Sequence, residues 1–197
     1  MISLFNLLTF FLLFFTTSMS PASTMRTYEP EKKSIHSIRE TDEYLPWFSE
    51  RRLGWDDFLC EPKRNSDAVA LTSTALGIAY KVTGGQLSYE IHCSFSKTKS
   101  WGLLKTPYIL AHEQGHFDIT EIFARRLHKE LSEYEFNRKT FKLDVSAIYN
   151  RIVKEKENFQ YAYDGQSDHS RNKGLQLEWL NRIDMLLVET APYANYP

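Results

Sequence analysis

Apolar positions recur along this chain at two different periods. Between residues 75 and 96 they alternate. Leu76, Ile78 and Tyr80 precede Gly84-Gly85, and then Leu87, Tyr89, Ile91, Cys93 and Phe95 interleave with Ser88, Glu90 and His92. Alternation marks a strand with one buried face, and a Gly-Gly pair between two such runs marks a hairpin. An antiparallel pair over 75–82 and 87–96 is therefore expected. Beyond residue 107 the period lengthens: Ile109, Leu110, Ile119, Ile122, Phe123, Leu127 and Leu131 fall at helical spacing. Thr106-Pro107 offers an N-cap and a first-turn proline, and Arg125, Arg126, His128 and Lys129 sit late, where cations suit a helix C-terminus. A second helix is expected over 143–163, opening near Asp144, with Val145, Ile148, Ile152 and Phe159 on one side. A third is expected over 175–188, with Leu175, Trp179, Ile183 and Leu187 in step. Between them, 165–174 reads as a loop, and 191–197 reads as a loose end. The short connection after Leu131 predicts that the first two helices run antiparallel. Leu53, Trp55 and Phe58 anchor the start of the domain, and Trp101 is placed to seat the long helix on the sheet. The fold class is α+β: a small antiparallel hairpin packed on a long helix, followed by two further helices, in one domain over 46–197.

The first 45 residues follow another pattern. Residues 2–15 are strongly apolar, and small residues follow at 16–23. This predicts a secretory signal peptide over 1–22 and a polar linker over 23–45. The apolar run is shorter than the ~20 residues of a membrane span; left uncleaved, it would act as an N-terminal membrane anchor. The expected location is the periplasm or the exterior. There a disulfide between Cys60 and Cys93 is allowed, although sequence alone does not bring the two within bonding distance. The net charge of −1 gives no basic surface for nucleic acid.

The long helix contains His112-Glu113-Gln114-Gly115-His116, an H-E-x-x-H motif. Residues four apart share a helix face, so His112 and His116 can aim two imidazoles at one metal ion, with zinc (Zn2+) the expected one. Glu113 lies at the edge of that face, where it can serve as general base. Gly115 costs about 1 kcal/mol relative to alanine in a helix interior, which suggests close approach of another group. A catalytic zinc takes three protein ligands. The motif helix itself does not supply the third: at 100° per residue, Asp118 is rotated about 240° and Glu121 about 180° from His112. Asp118 is thus expected to serve structure. The candidates for third ligand are His169, Asp164, Glu155, Glu157, His92 and His36. His169 leads, with a carboxylate on the second helix next. His92 alternates with the apolar strand face, His36 lies in the polar linker, and the two glutamates belong to a charged run. Tyr163 is a candidate oxyanion donor, with Tyr161 and Arg171 as rivals and packing at the helix end as the alternative for Tyr163.

The order of several pieces resembles a known family. They are Leu53-Gly54-Trp55-Asp56-Asp57-Phe58, then 70–80, then 96–101, then HEQGHFD at 112–118. Last comes Tyr163-Asp164, running through His169 to Gln176 and Trp179. Together they resemble domain of unknown function 922, a family of uncharacterised, exported bacterial proteins regarded as zinc-dependent proteases. The resemblance implies a zincin-like fold and favours His169 as third ligand. The family pattern has a glycine after that histidine, where this chain has Ser170. The expected function is an exported zinc metallopeptidase acting on a peptide or protein substrate. The alternatives are a non-catalytic metal-binding module of the cell envelope and a zinc amidase acting on cell-wall material. Glu113 favours an enzyme, because a structural zinc site has four protein ligands and no use for a base.

Overall fold

A computed structural model of the chain describes residues 40–63 and 66–197. The expected signal peptide, most of the linker and His36 lie outside the described residues. In chain order the strands are β1 (Tyr44–Pro46), β2 (Ala70–Leu71), β3 (Thr74–Thr83), β4 (Gln86–Ser96) and β5 (Trp101–Gly102). The helices are α1 (Pro107–Ser132), α2 (Phe141–Ser167) and α3 (Lys173–Glu189), with short 3-10 turns at Trp55–Asp57 and Ala191–Tyr193. The fold is α+β. One antiparallel sheet runs in the order β1-β4-β3, and β2 and β5 form a separate antiparallel pair.

The expected hairpin is present and longer than its alternating core. Thr83 faces Gln86 across Gly84 and Gly85, whose φ values of 62° and 83° suit a two-residue hairpin turn that L side chains resist. Leu76, Ile91, Cys93 and Phe95 are buried, and Phe95 meets Phe117 of α1 with ring centroids 5.9 Å apart. The Tyr149 hydroxyl of α2 donates to the Leu76 carbonyl at 2.8 Å. This ties α2 to β3 by one hydrogen bond near the start of the strand, while 79–83 at its far end are exposed.

The helix α1 starts where its sequence signals placed it. Thr106 caps it by accepting from the Ile109 amide at 3.2 Å, and Pro107 occupies the first turn. It is buried on nearly every side: the sheet, α2 and α3 all pack on it. Trp101 is buried at the head of this assembly, and Trp55 packs its ring on Gly102, where a Cβ would stand 2.4 Å from it. Trp55 also donates to the Thr106 carbonyl at 3.3 Å, tying the 51–58 segment to the helix cap.

Three expectations are corrected. The second helix does not stop at 163 but continues to Ser167, so Asp164 is helical and the loop shrinks to 168–172. Gly165 does not end the helix: Trp179 of α3 donates to Gln166 Oε1 at 3.0 Å, and within α2 the Ser167 hydroxyl bonds the Tyr163 carbonyl at 2.7 Å. On α3 the buried positions are Gln176, Trp179 and Ile183, with Leu187 half-buried and Leu175 exposed. The tail is not loose. Pro197 accepts from the Ile91 amide at 2.7 Å, and buried Tyr196 donates to Glu121 Oε2 at 2.8 Å. Cys60 and Cys93 are both free thiols.

Replacing Tyr196 by phenylalanine leaves a lone pair of the buried Glu121 carboxylate unmatched. The expected loss is about 1–3 kcal/mol of unfolding free energy, measured by urea denaturation. An unchanged midpoint would show that the Tyr196–Glu121 hydrogen bond contributes nothing to stability.

Candidate metal centre

The four-residue spacing of His112 and His116 does on α1 what geometry requires. Their Nε2 atoms point at each other, 3.3 Å apart. The third member comes from α2. Asp164 Oδ1 stands 3.1 Å from His112 Nε2 and 3.0 Å from His116 Nε2. These three side chains form a group able to hold a metal ion. Ligand atoms 2.0–2.1 Å from a tetrahedral zinc stand roughly 3.3–3.4 Å from one another. The observed triangle, with edges of 3.0, 3.1 and 3.3 Å, is close to that size.

His169, the leading third-ligand candidate on sequence, is beside the group but outside the triangle. Its Nδ1 lies 3.8 Å from Asp164 Oδ1, and its side chain is 62% exposed. The cause is the backbone. Asp168, His169 and Ser170 have φ of 49°, 49° and 73°, three successive residues in the left-handed region. Such a conformation costs an L residue roughly 1–2 kcal/mol each. It is held by the Tyr108 hydroxyl on the Ser170 carbonyl (2.8 Å), the His169 amide on Asp164 O (2.9 Å) and the Asn172 amide on Ser167 O (2.9 Å). This turn sends the chain back as α3. The other candidates are elsewhere: His92 is half-buried on the sheet against Gly77, and Glu155 pairs with Arg151 at 3.4 Å. Glu157 lines the cavity described below, outside the triangle.

A cavity of about 950 Å³ opens over the three ligating atoms. His112, Glu113, His116, Asp164 and His169 line it, with the 67–74 segment among its walls. Glu113 is buried, yet among the described residues it makes no hydrogen bond or ion pair. A buried carboxylate with no hydrogen-bond partner, facing a cavity beside two imidazoles, can exchange a proton with a bound molecule.

Against the known proteins, a family model described as "Bacterial protein of unknown function (DUF922)" matches residues 61–170, more than half of the chain. The chain belongs to this family. No curated protein and no solved structure matches it. The DUF922 match spans β2 to α2 and so contains His112, Glu113, His116, Asp164 and His169. The 51–58 segment and α3, with Gln176 and Trp179, fall outside it.

Two supports of this DUF922 site were not singled out from sequence. Gln160 lies one turn before Asp164 on α2. Its Oε1 is hydrogen-bonded to His116 Nδ1, while its Nε2 donates to the His116 carbonyl at 2.9 Å. With Oε1 as acceptor, His116 carries its proton on Nδ1 and directs the Nε2 lone pair at the centre. The i, i+4 relation to Asp164 was the available signal. The second support is the pairing of Gly115 with Tyr163. A Cβ at Gly115 would stand 2.6 Å from the Tyr163 hydroxyl. The tyrosine ring stacks on His112 at 4.5 Å, and its hydroxyl donates to the His112 carbonyl at 3.2 Å. Tyr163 is therefore packed under the helix and does not line the cavity; Tyr161 and Arg171 do.

Electrostatics follow from the contacts. Burial alone would raise the Asp164 pKa, but hydrogen bonds and charge from His112 and His116 hold it well below the usual carboxylate range. Burial alone would lower His116, but Asp164, Glu113 and Gln160 outweigh it and raise the imidazole above its ordinary 6.5. In the metal-free protein the two groups act on opposite sides of neutrality. The His116 contribution is full below its unfolded pKa and is lost as pH rises through the raised folded value. The Asp164 contribution is full above its unfolded pKa and is lost as pH falls through the depressed folded value. Metal-free protein should thus lose stability on the alkaline side of about pH 6.5, and Asp164→Asn should flatten that decline in urea midpoints taken across pH. A separate measurement addresses Tyr163: Gly115→Ala should destabilise by about 1–3 kcal/mol. An unconstrained helical glycine would instead gain about 1 kcal/mol from the same change.

Proposed function

We propose that this protein is an exported zinc-dependent peptidase of zincin-like architecture, with His112, His116 and Asp164 as its metal ligands. The observation that carries the reading is the convergence of three ligating atoms beside Glu113, an unpaired buried carboxylate, in one cavity. His169 is within reach as a fourth donor, since it lies 3.8 Å from Asp164. A peptide fits the walls. β2 is paired on one side only, with β5, and the segment that contains it lines the cavity. An extended chain can add to such an edge by backbone hydrogen bonds. This role falls to β2 rather than to the hairpin, of which only Thr74 lines the cavity.

When bound, zinc would supply Lewis acidity, lowering the pKa of a water and polarising a carbonyl oxygen. The chain's own residues do the rest. Gln160 keeps the His116 proton on Nδ1, away from the centre. Tyr163 and Gly115 fix the ring of His112 against its own helix. Glu113 takes a proton from the water that attacks the peptide carbonyl carbon and delivers it to the departing amine nitrogen. Tyr161, Arg171 and His169, on the cavity wall, are the side chains available to donate to the developing oxyanion.

The test is metal content with hydrolysis measured on the same preparations. Wild type should hold about one zinc per chain, lost in His116→Ala and in Asp164→Ala but kept in His169→Ala. Loss in His169→Ala with retention in Asp164→Ala would transfer the third position to the histidine. Glu113→Gln should keep its zinc and lose hydrolysis by about 10²–10⁴-fold; full activity in that variant would remove Glu113 from the chemistry.

A further inference from the structure

Three cations line the cavity: Lys156, Arg171 and Lys173. Two of them are engaged. Arg171 pairs with Asp168 at 3.2 Å, and Lys173 lies over the Tyr108 ring at 5.7 Å. Lys156 differs. It is half-buried on α2, and among the described residues it has no hydrogen bond and no ion pair. Its sequence neighbour Glu157 is exposed and forms no ion pair with it, although its charge is felt at the lysine. A partly desolvated ammonium with no hydrogen-bonded or ion-paired carboxylate gains from a bound one.

The position of this lysine relates it to the candidate centre. Lys156, Gln160 and Asp164 stand at i, i+4 and i+8, so they share one ridge of α2. Gln160 orients His116, and Asp164 closes the ligand triangle. Eight helical residues span about 12 Å. An extended peptide advances about 3.3 Å per residue, so this distance corresponds to two to four residues once the reach of the lysine stem is allowed for.

We infer that Lys156 is a specificity residue that binds a substrate carboxylate, selecting peptides with an acidic side chain or chain terminus two to four residues from the bond that reacts. This rests on the peptidase reading and adds the class of substrate. Burial also lowers the lysine pKa, with Glu157 and Cys93 pulling the other way. Along the ridge the site has two poles: a ligand set that would take a carbonyl, and a cation that takes a carboxylate.

The test uses binding rather than turnover. Two peptide hydroxamates, identical except for a glutamate or a glutamine three residues from the hydroxamate, are titrated calorimetrically into zinc-loaded protein. Wild type should bind the glutamate probe about tenfold or more tighter than the glutamine probe. Lys156→Met keeps most of the apolar stem and should bind both equally. Lys156→Glu should prefer a third probe carrying lysine at that place. Equal binding of the first two probes by wild type overturns the assignment, and so does a glutamate preference that survives in Lys156→Met. Failure of every hydroxamate to bind zinc-loaded wild type overturns the peptidase reading and this inference with it.

Discussion

A polar side chain taken out of water must find a partner or be left at a cost, and α1 carries seven of them into the interior. His112, Glu113, Gln114, Asp118, Thr120, Glu121 and Arg125 are all buried. Six find at least one partner within the fold, although His112 Nδ1 is buried without one. Gln114 accepts from the Leu53 amide at 2.7 Å and donates to Asp118 at 2.8 Å. Asp118 also takes the Trp47 indole (2.8 Å) and the Arg52 guanidinium (3.0 Å). Glu121 holds Arg125 and Tyr196, and Arg125 caps the Leu187 carbonyl at 2.7 Å. Thr120 meets Thr74 at 2.7 Å, and His112 meets Asp164. The arrangement of the strands, the 51–58 segment, α3 and the tail around this helix follows from satisfying those groups. Glu113 is the one left over, and it faces the cavity.

The HEQGHFD stretch therefore serves two sides of one helix. His112, Glu113 and His116 face the cavity. Gln114 and Asp118 hold the segment around 47–53 on the opposite side, which agrees with the rotation of Asp118 away from His112. Phe117 enters the core, and Gly115 makes room for Tyr163. The constraints on this motif thus extend to positions outside the His112, His116 and Asp164 group. The glycine shows this most simply: its helix-propensity penalty is exchanged for a tyrosine that both packs and fixes an imidazole.

Much of this was legible in the chain. The alternating run with Gly84-Gly85 specified the hairpin, because strand periodicity and positive φ are local properties. The Thr106-Pro107 start and the placement of His112 and His116 on one face were equally local. The reading went astray at the end of α2. Gly165 and the polar run after it look like a helix stop, yet Gln166 and Ser167 find partners that continue the helix. Once helical, Asp164 faces the histidines, and the left-handed run at 168–170 leaves His169 one step outside them. The tail was misread for the same reason, since a short polar-aromatic end gives no local sign that Glu121 awaits its tyrosine.

The sequence by itself determined the hairpin, the three helices, the family, and a helix bearing two histidines and a glutamate at ligand spacing. Backbone geometry repeats every few residues, so the order of side chains along the chain is enough to set these features. Only the tertiary structure decided which carboxylate joins the histidines, which glutamine fixes a tautomer, and which lysine of α2 lines the cavity. Those outcomes depend on how α2 is set against α1. That depends on packing over the whole surface of a buried helix, which residue spacing does not encode.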